Sequence, residues 1–145
     1  MAIDILIRDA EENDAQAVAN LLTELGYPST PNFAARKIQQ LAQSPADRVL
    51  VAIIDGTVGG VISLHITPCL HEESNLARVT ALIVHEDYRG HGIGRKLMQT
   101  AEAIALAKGC RRVEITSSDS RCEAHAFYRR LRYEEQSRRF LKYIG

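Results

Sequence analysis

The chain has 145 residues, of which 46% are hydrophobic and 25% charged, and its formal net charge at pH 7 is zero. This length and composition are typical of one globular domain, which we expect to span residues 1–145. No apolar run approaches the roughly 20 residues of a membrane-spanning helix, and the start of the chain lacks the basic region and cleavage site of a secretory signal. The three cysteines form no CxxC motif, which is typical of reduced thiols. We therefore expect a cytoplasmic protein with no membrane partner.

The two halves of the chain differ in charge. Residues 1–77 contain 4 Lys and Arg against 10 Asp and Glu, whereas residues 78–145 contain 14 against 8. Such an asymmetry indicates an anionic ligand for the second half and a cationic one for the first, or two halves that pack on each other. Nucleic acid is not an expected partner, because the basic residues are dispersed and no aromatic residues alternate with them.

The first half predicts a strand, two helices and a β-hairpin. Alternating apolar positions predict a half-buried strand over residues 3–7. Asn13 and Gln16 have capping-box spacing and predict a helix that ends at Gly26. Thr30-Pro31 predicts the start of a second helix, which ends before Ser44-Pro45.

The hairpin signal is Asp55-Gly56, which separates an apolar strand over Val49–Ile54 from a second over Val58–Ile66. A polar loop follows, over Pro68–Asn75. The next predicted strand is Val79–Val84.

The second half alternates helices and strands. The patterns predict a helix over Ile93–Lys108, a strand over Arg112–Ser117 and a helix that opens with a capping box at Ser120 and runs to Leu131. Tyr133–Tyr143 predicts a final strand or a bent hairpin. The order is β-α-α-β-β-β-α-β-α-β, which indicates an α/β fold: a mixed sheet with helices on both faces. The strands before and after the Ile93 helix should be parallel and connected by a right-handed crossover.

A glycine-rich turn joins the Val79–Val84 strand to the Ile93 helix. Alternating glycines let the backbone approach a ligand closely, and the first turn of a helix offers unpaired N–H groups with a partial positive charge. This combination binds phosphate or pyrophosphate, although such glycines can also serve tight packing alone. The turn lacks the P-loop pattern and the G-x-G-x-x-G spacing of dinucleotide-binding folds. Arg89, Arg95 and Lys96 add formal positive charge around the turn.

This turn resembles the acyl-CoA pyrophosphate loop of the GCN5-related N-acetyltransferase (GNAT) family, whose pattern is R/Q-x-x-G-x-G/A. The segment from Ala124 to Tyr133 is similar to that family's second signature, A-x-x-F-Y-x-x-x-G-F, with Arg132 in the place of the glycine. The element order agrees over the whole chain. The resemblance implies a domain in which the two central parallel strands splay apart.

The resemblance also implies a cosubstrate, acetyl-CoA, and a set of residues that hold it. Its pantetheine arm would pair with the backbone of Leu82, Ile83 and Val84, and Tyr128 would lie beside its sulfur. Its pyrophosphate would lie on the turn, whose implied binding residues are Arg89, Gly90, His91, Gly92, Ile93, Gly94 and Arg95. A phenol there can donate a proton to a leaving thiolate. The alternative for Tyr128 is a core tyrosine beside Phe127.

The general base is not evident. The family often has a glutamate near the start of the strand before the loop, but Arg78–Ala81 contains no carboxylate. Glu114 is a candidate, because a carboxylate in an apolar strand must face something polar. The alternative is an ion pair with Arg112 or another cation. Weaker candidates lie in the polar loop: His71, Glu72 and Glu73.

We therefore expect acetyl transfer to the primary amine of a cationic small molecule by direct attack in a ternary complex. An acceptor lysine or protein N-terminus, and a non-catalytic acyl-CoA-binding regulatory module, are the alternatives. The five histidines lack metal-ligand spacing, so we expect no metal. The sequence leaves a homodimer open.

Overall fold

The computed structural model describes residues 3–116, 122–136 and 139–145. Within these residues the chain forms a five-stranded sheet in the order β1-β2-β3-β4-β5. The strands are β1 (Ile5–Asp9), β2 (Asp47–Ile54), β3 (Thr57–Thr67), β4 (Asn75–Val84) and β5 (Cys110–Ile115). The helices are α1 (Ala15–Leu25), α2 (Pro31–Ala42), α3 (Ile93–Ala107) and α4 (Cys122–Arg130). No helix in these ranges is long and apolar enough to cross a membrane.

Strands β1 to β4 pair antiparallel, and they include the predicted β2–β3 hairpin. Strands β4 and β5 pair parallel, as predicted. The parallel pairing ends at Val79 and Ile115, so that, within the described residues, the last part of β4 has no partner on the β5 side. Val79 pairs with Leu64 and Ala81 with Ser63, which leaves Thr80 as an extra residue in β4. Such a bulge bends its strand, which accounts for the separation of β4 from β5.

Helices cover both faces of the sheet, as predicted. Helix α3 packs on one face through its apolar stripe, and α1 and α2 pack on the other. The α3 face of the sheet buries Leu50, Ala52, Ile54, Ile62, Leu64, Ala77 and Val79. The α1–α2 face buries Val51, Val61 and Ile83. The α/β fold class expected from the sequence is confirmed.

Turn and cap residues account for most of the boundaries. Thr30 accepts a hydrogen bond from the Phe33 N–H and caps α2, as predicted. Asp55 and Gly56 have φ values of +50° and +76°, which is the backbone that a two-residue hairpin loop requires. Gly26, with φ of +106°, ends α1.

The predicted cap of α1 is wrong. A 3-10 helix over Glu12–Asp14 precedes α1, and the Glu11 N–H donates to the Asp14 carboxylate at 2.7 Å in place of any cap by Asn13. Asp14 is fixed there because Arg8 donates to both of its oxygens, at 2.8 and 3.0 Å.

The predicted last strand, Tyr133–Tyr143, is also wrong in its described part, where residues 133–136 and 139–143 are in neither helix nor strand. Its large apolar residues come in adjacent pairs, Phe140-Leu141 and Tyr143-Ile144, so no period of two gives them a common face to bury. All four are exposed. The predicted capping residue Ser120 lies outside the described residues.

Candidate active site

A cavity of about 470 Å³ lies where β4, the turn before α3, and α4 come together. Most of the residues predicted to bind a cosubstrate line it, and so does Tyr128. The full lining is Leu82, Val84, Arg89, Gly90, Gly92, Ile93, Gly94, Arg95, Glu123, Ala124, Phe127, Tyr128, Arg130 and Leu131.

The turn between β4 and α3 presents backbone to this cavity. Gly90 and Gly92 have φ values of +84° and +79°, in the left-handed region that favours glycine, and a Cβ on either would meet nothing within 4 Å. Gly92 is the N-cap of α3, so the next amides lie in the first helical turn, where N–H groups have no intrahelical acceptor. The turn therefore offers open space, N–H donors and the positive end of the α3 dipole at one point.

Two glycines near the start of β3 permit close packing, and Gly60 is the one that lets α3 approach the sheet. A Cβ on Gly60 would lie 3.1 Å from Leu97 Cδ1 and 3.2 Å from Ile93 Cγ2, and one on Gly59 would clash with Ile54 Cδ1 at 2.3 Å. The sequence analysis missed their role. The signal was a glycine pair inside an apolar strand, which marks a close approach of another segment.

Three arginines surround the cavity, and only two were predicted. Arg89 donates through Nε to the Val84 carbonyl at 3.3 Å, and its Nη2 lies 4.0 Å from Glu24 Oε1. Arg95 and Arg130 are exposed. Lys96, by contrast, donates to the Ile5 carbonyl at 2.7 Å and so ties α3 to β1.

Helix α4 contributes one face to the cavity, and Gly94 permits its close packing. A Cβ on Gly94 would lie 3.0 Å from Phe127 Cζ. The cavity-lining residues of α4 recur at helical spacing, so periodicity could have added Glu123 and Arg130 to the predicted set.

Tyr128 is half-buried among aromatic rings. The ring centroid of Phe127 lies at 5.3 Å and that of Tyr133 at 6.2 Å. The Tyr133 hydroxyl donates to Glu102 Oε2 at 2.6 Å. Burial, and then this hydrogen bond, raise the pKa of Tyr133 well above its ordinary value, so Tyr133 keeps its proton. Of these two phenols, Tyr128 is the one that lines the cavity.

Three predicted site residues lie away from the cavity lining. Ile83 is buried on the opposite face of the sheet, and His91 is exposed on the turn. Glu114 accepts hydrogen bonds from Nε, at 2.6 Å, and Nη2 of Arg78. Its ion-pair partner is thus Arg78.

Arg112, on the same strand as Glu114, is paired with Glu72 of the polar loop. Its Nη1 donates to Glu72 Oε2 at 2.9 Å, and its Nη2 lies 2.6 Å from Glu72 Oε1. Hydrogen bonding by Arg112 lowers the pKa of Glu72. In the described residues, no group of three or more His, Cys, Asp and Glu side chains could hold a metal ion.

Comparison with known proteins gives consistent matches over most of the chain. Residues 15–133 match the Acetyltransferase (GNAT) family. An aminoalkylphosphonate N-acetyltransferase of Salmonella typhimurium is 31% identical over 142 residues, which cover 94% of this chain and 89% of the relative. The aminoglycoside N(6')-acetyltransferase type 1 of Stenotrophomonas maltophilia is 30% identical over 138 residues, with coverages of 91% and 88%.

The fold has counterparts among solved structures. An aminoglycoside N-acetyltransferase in complex with CoA superposes with a TM-score of 0.87 at 16% identity, over 99% of this chain and 97% of that one. From the family match and the two sequence relatives, the chain belongs to the acetyltransferase (GNAT) family of enzymes, as the glycine-rich turn and the segment around Tyr128 predicted.

Proposed function

We propose that the protein transfers an acetyl group from acetyl-CoA to the primary amine of a small molecule, by direct attack in a ternary complex. The observation that carries the proposal is the cavity, which joins the N-terminal turn of α3, three arginines and Tyr128. When bound, acetyl-CoA supplies a thioester whose C–S bond breaks as the new C–N bond forms.

The cavity fits the two ends of such a ligand. Gly90 and Gly92 leave open space beside the α3 amides, and these amides with Arg89 and Arg95 would hold the pyrophosphate. The edge of β4 beyond Val79 offers backbone donors and acceptors that, within the described residues, pair with no strand on the β5 side. These groups of Leu82 and Val84 would bind the amides of the pantetheine arm.

The chemistry then needs three proton movements. Tyr128 Oη would give its proton to the sulfur that leaves, and the cationic nitrogen would lose two, one before the attack and one as the amide forms. A backbone N–H of β4 would stabilise the negative charge on the carbonyl oxygen during the attack. The base on the acceptor side is proposed below.

The acceptor class is supported by the relatives. The two named above act, by their names, on aminoalkylphosphonates and aminoglycosides, both of which carry amines. We propose a small-molecule amine for this chain, which would be cationic at neutral pH. The thiols of Cys69 and Cys110 are free, which supports the proposed cytoplasmic location.

The test is a screen of amines that reads the free thiol released from acetyl-CoA. Turnover with a small amine, above hydrolysis in its absence, is the expected result. Binding of acetyl-CoA without turnover on any amine would contradict an enzyme and favour a regulatory module. Turnover that is confined to peptides would show that the acceptor is a lysine side chain or a protein N-terminus.

A further inference from the structure

Four charged or titratable side chains form a row across the sheet, one on each of β2 to β5. The strand register pairs Asp47 with His65, His65 with Arg78, and Arg78 with Glu114. Ala77 and Val79, which flank Arg78, pack in the core under α3. Since side chains alternate along a strand, the row of Asp47, His65, Arg78 and Glu114 lies on the α1–α2 face.

The row ends where the two parallel strands separate. Arg78 and Glu114 are one register pair before Val79 and Ile115, the last pair of β4 and β5. Phe127, the neighbour of Tyr128, packs against the core of the opposite face. The side chains of Arg78 and Glu114 are 52% and 39% exposed, so a small molecule can reach them from the α1–α2 side.

Glu114 and Glu72 each already have an arginine partner, and Asp47 faces the imidazole of His65. Arg78 donates twice to Glu114 Oε1, Arg112 is held by Glu72, and His65 Nδ1 lies 2.8 Å from Asp47 Oδ1. Both hydrogen bonds from Arg78 fall on Glu114 Oε1 and engage its lone pairs, so that oxygen can accept a proton only when Arg78 moves. An acceptor that carries positive charge alone would have to displace Arg78 and leave that guanidinium without an anion.

An acceptor that carries both an amine and an anionic group avoids this cost. The anionic group can bind the Arg78 guanidinium, whose forked N–H donors fit a phosphonate or a carboxylate. The ammonium group can bind the Glu114 carboxylate. Every charge then keeps a partner.

We infer that Arg78 selects acceptors with an anionic group beside the amine, such as aminoalkylphosphonates, and that its displacement frees Glu114 as the base. Glu114 takes one proton from the ammonium nitrogen, which leaves a neutral amine with a lone pair for attack on the thioester carbon. The C–S bond breaks as the C–N bond forms, Tyr128 protonates the departing sulfur, and the second proton of the nitrogen passes to solvent as the amide forms. The inference rests on the proposed function and adds to it a specificity residue and a base.

The experiment compares kcat/KM for 3-aminopropylphosphonate with that for propylamine and for spermidine. One charged hydrogen-bonded contact contributes about 1.5–3 kcal/mol, so we expect a roughly 10–100-fold preference for the phosphonate. Arg78→Gln should remove most of this preference, and Arg78→Lys should restore part of it. Glu114→Gln should lower kcat for all three amines.

Arg48→Gln is the matched control, since Arg48 also forms an exposed arginine–carboxylate pair, with Asp9 at 2.8 Å, elsewhere on the sheet. This variant should keep the preference. Equal kcat/KM for the phosphonate and propylamine, or a preference that survives Arg78→Gln in a variant that still binds acetyl-CoA, would overturn the inference alone. A wild type that acetylates no amine would overturn the proposed function as well.

Discussion

Tyr128 faces a cavity that also receives the first turn of α3, and it carries a proton that the proposed reaction needs. Tyr128→Phe keeps the ring contacts with Phe127 and Tyr133 but removes the hydroxyl. We expect kcat to fall by about 10²–10⁴-fold, the usual contribution of a positioned acid, with little change in acetyl-CoA affinity. The measurement is kcat with the best acceptor, beside an acetyl-CoA titration.

Tyr133→Phe is the matched control for this prediction. It removes a hydroxyl 2.6 Å from Glu102 Oε2 and should lower stability while it leaves kcat within about threefold, less than 1 kcal/mol of barrier. A Tyr128→Phe variant that folds and also stays within that margin would show that Tyr128 is a packing residue.

Asp14 is a buried carboxylate whose stabilising effect depends on pH. The hydrogen bonds from Arg8, followed by the backbone N–H of Glu11, hold the pKa of Asp14 below its ordinary value against the opposing effect of burial. A pKa that is lower in the folded state stabilises the fold above the ordinary value near pH 4, and this stabilisation is lost as the pH falls through the lowered pKa.

Asp14→Asn should therefore lower the free energy of unfolding by about 1–3 kcal/mol at pH 7 and flatten its decline in acid. Urea unfolding at pH 7 and at pH 3 measures both effects. Asp9→Asn, which breaks the exposed pair with Arg48, should cost less than about 1 kcal/mol. Equal losses for the two variants would contradict the role of Asp14.

For single residues, a role that depends on the backbone could be predicted from the sequence. A role that depends on a side-chain partner from elsewhere in the chain could not. Gly90 and Gly92 were identified because alternating glycines between a strand and a helix indicate a backbone that a ligand can approach closely. The partner of Glu114 was left open because Arg78 lies 36 positions earlier in the chain and meets it only through the β4–β5 register. The predicted cap at Asn13 was wrong for a similar reason. Asp14 takes the capping position instead, because Arg8 holds it there through two hydrogen bonds.

The packing of α4 against α3 determines the width of the cavity. Gly94 lies in the first turn of α3, where a Cβ would be 3.0 Å from Phe127 Cζ. Gly94→Val should displace the Phe127 ring at a cost of about 1–3 kcal/mol and raise the Kd for acetyl-CoA roughly tenfold. Isothermal titration gives the Kd.

Ala103→Val is the control for this helix, because Ala103 is exposed on α3 and the substitution changes helix propensity without filling the contact. It should leave the Kd unchanged. The same Kd for Gly94→Val as for the wild type would mean that Phe127 does not shape the binding site.

Elements with local end signals were predictable, and the end of the chain was not. Thr30-Pro31 and Asp55-Gly56 determine their own backbone, so the helix and the hairpin that they delimit were placed within a few residues. Residues 133–143 include three aromatic residues that favour strands, Tyr133, Phe140 and Tyr143, but a strand also requires a neighbour and a face to bury. Their apolar residues do not recur at every second position, so they share no face that a sheet could bury.

Binding of the proposed cosubstrate should stabilise the whole molecule. At about 100 times its Kd, acetyl-CoA would add roughly 2.7 kcal/mol to the free energy of unfolding and raise the Tm. Gly92→Asp should abolish this shift, because it places a negative charge and a side chain at the N-terminus of α3, where the phosphates would bind.

Gly26→Asp is a control with matched backbone, since Gly26 also has a positive φ, +106°, and open space around it, at the end of α1. It should lower the Tm of the free protein yet keep the shift on addition of acetyl-CoA. A wild type with no shift at millimolar acetyl-CoA would contradict the proposed cosubstrate.

The β2–β3 hairpin has a consequence for how fast the chain folds. Its strands are joined by two residues, whereas β1 must reach β2 across α1 and α2, and β5 must reach β4 across α3. Short loops close first, so we expect this hairpin to be formed in the transition state for folding.

Gly56→Ala tests this order of events. A Cβ at φ of +76° costs about 1–2 kcal/mol, and if the hairpin forms early this cost should appear almost entirely as slower refolding. Stopped-flow refolding and unfolding in urea separate the two rates. A variant that refolds at the wild-type rate and unfolds faster would place the closure of the hairpin after the barrier, and the nucleus elsewhere in the sheet.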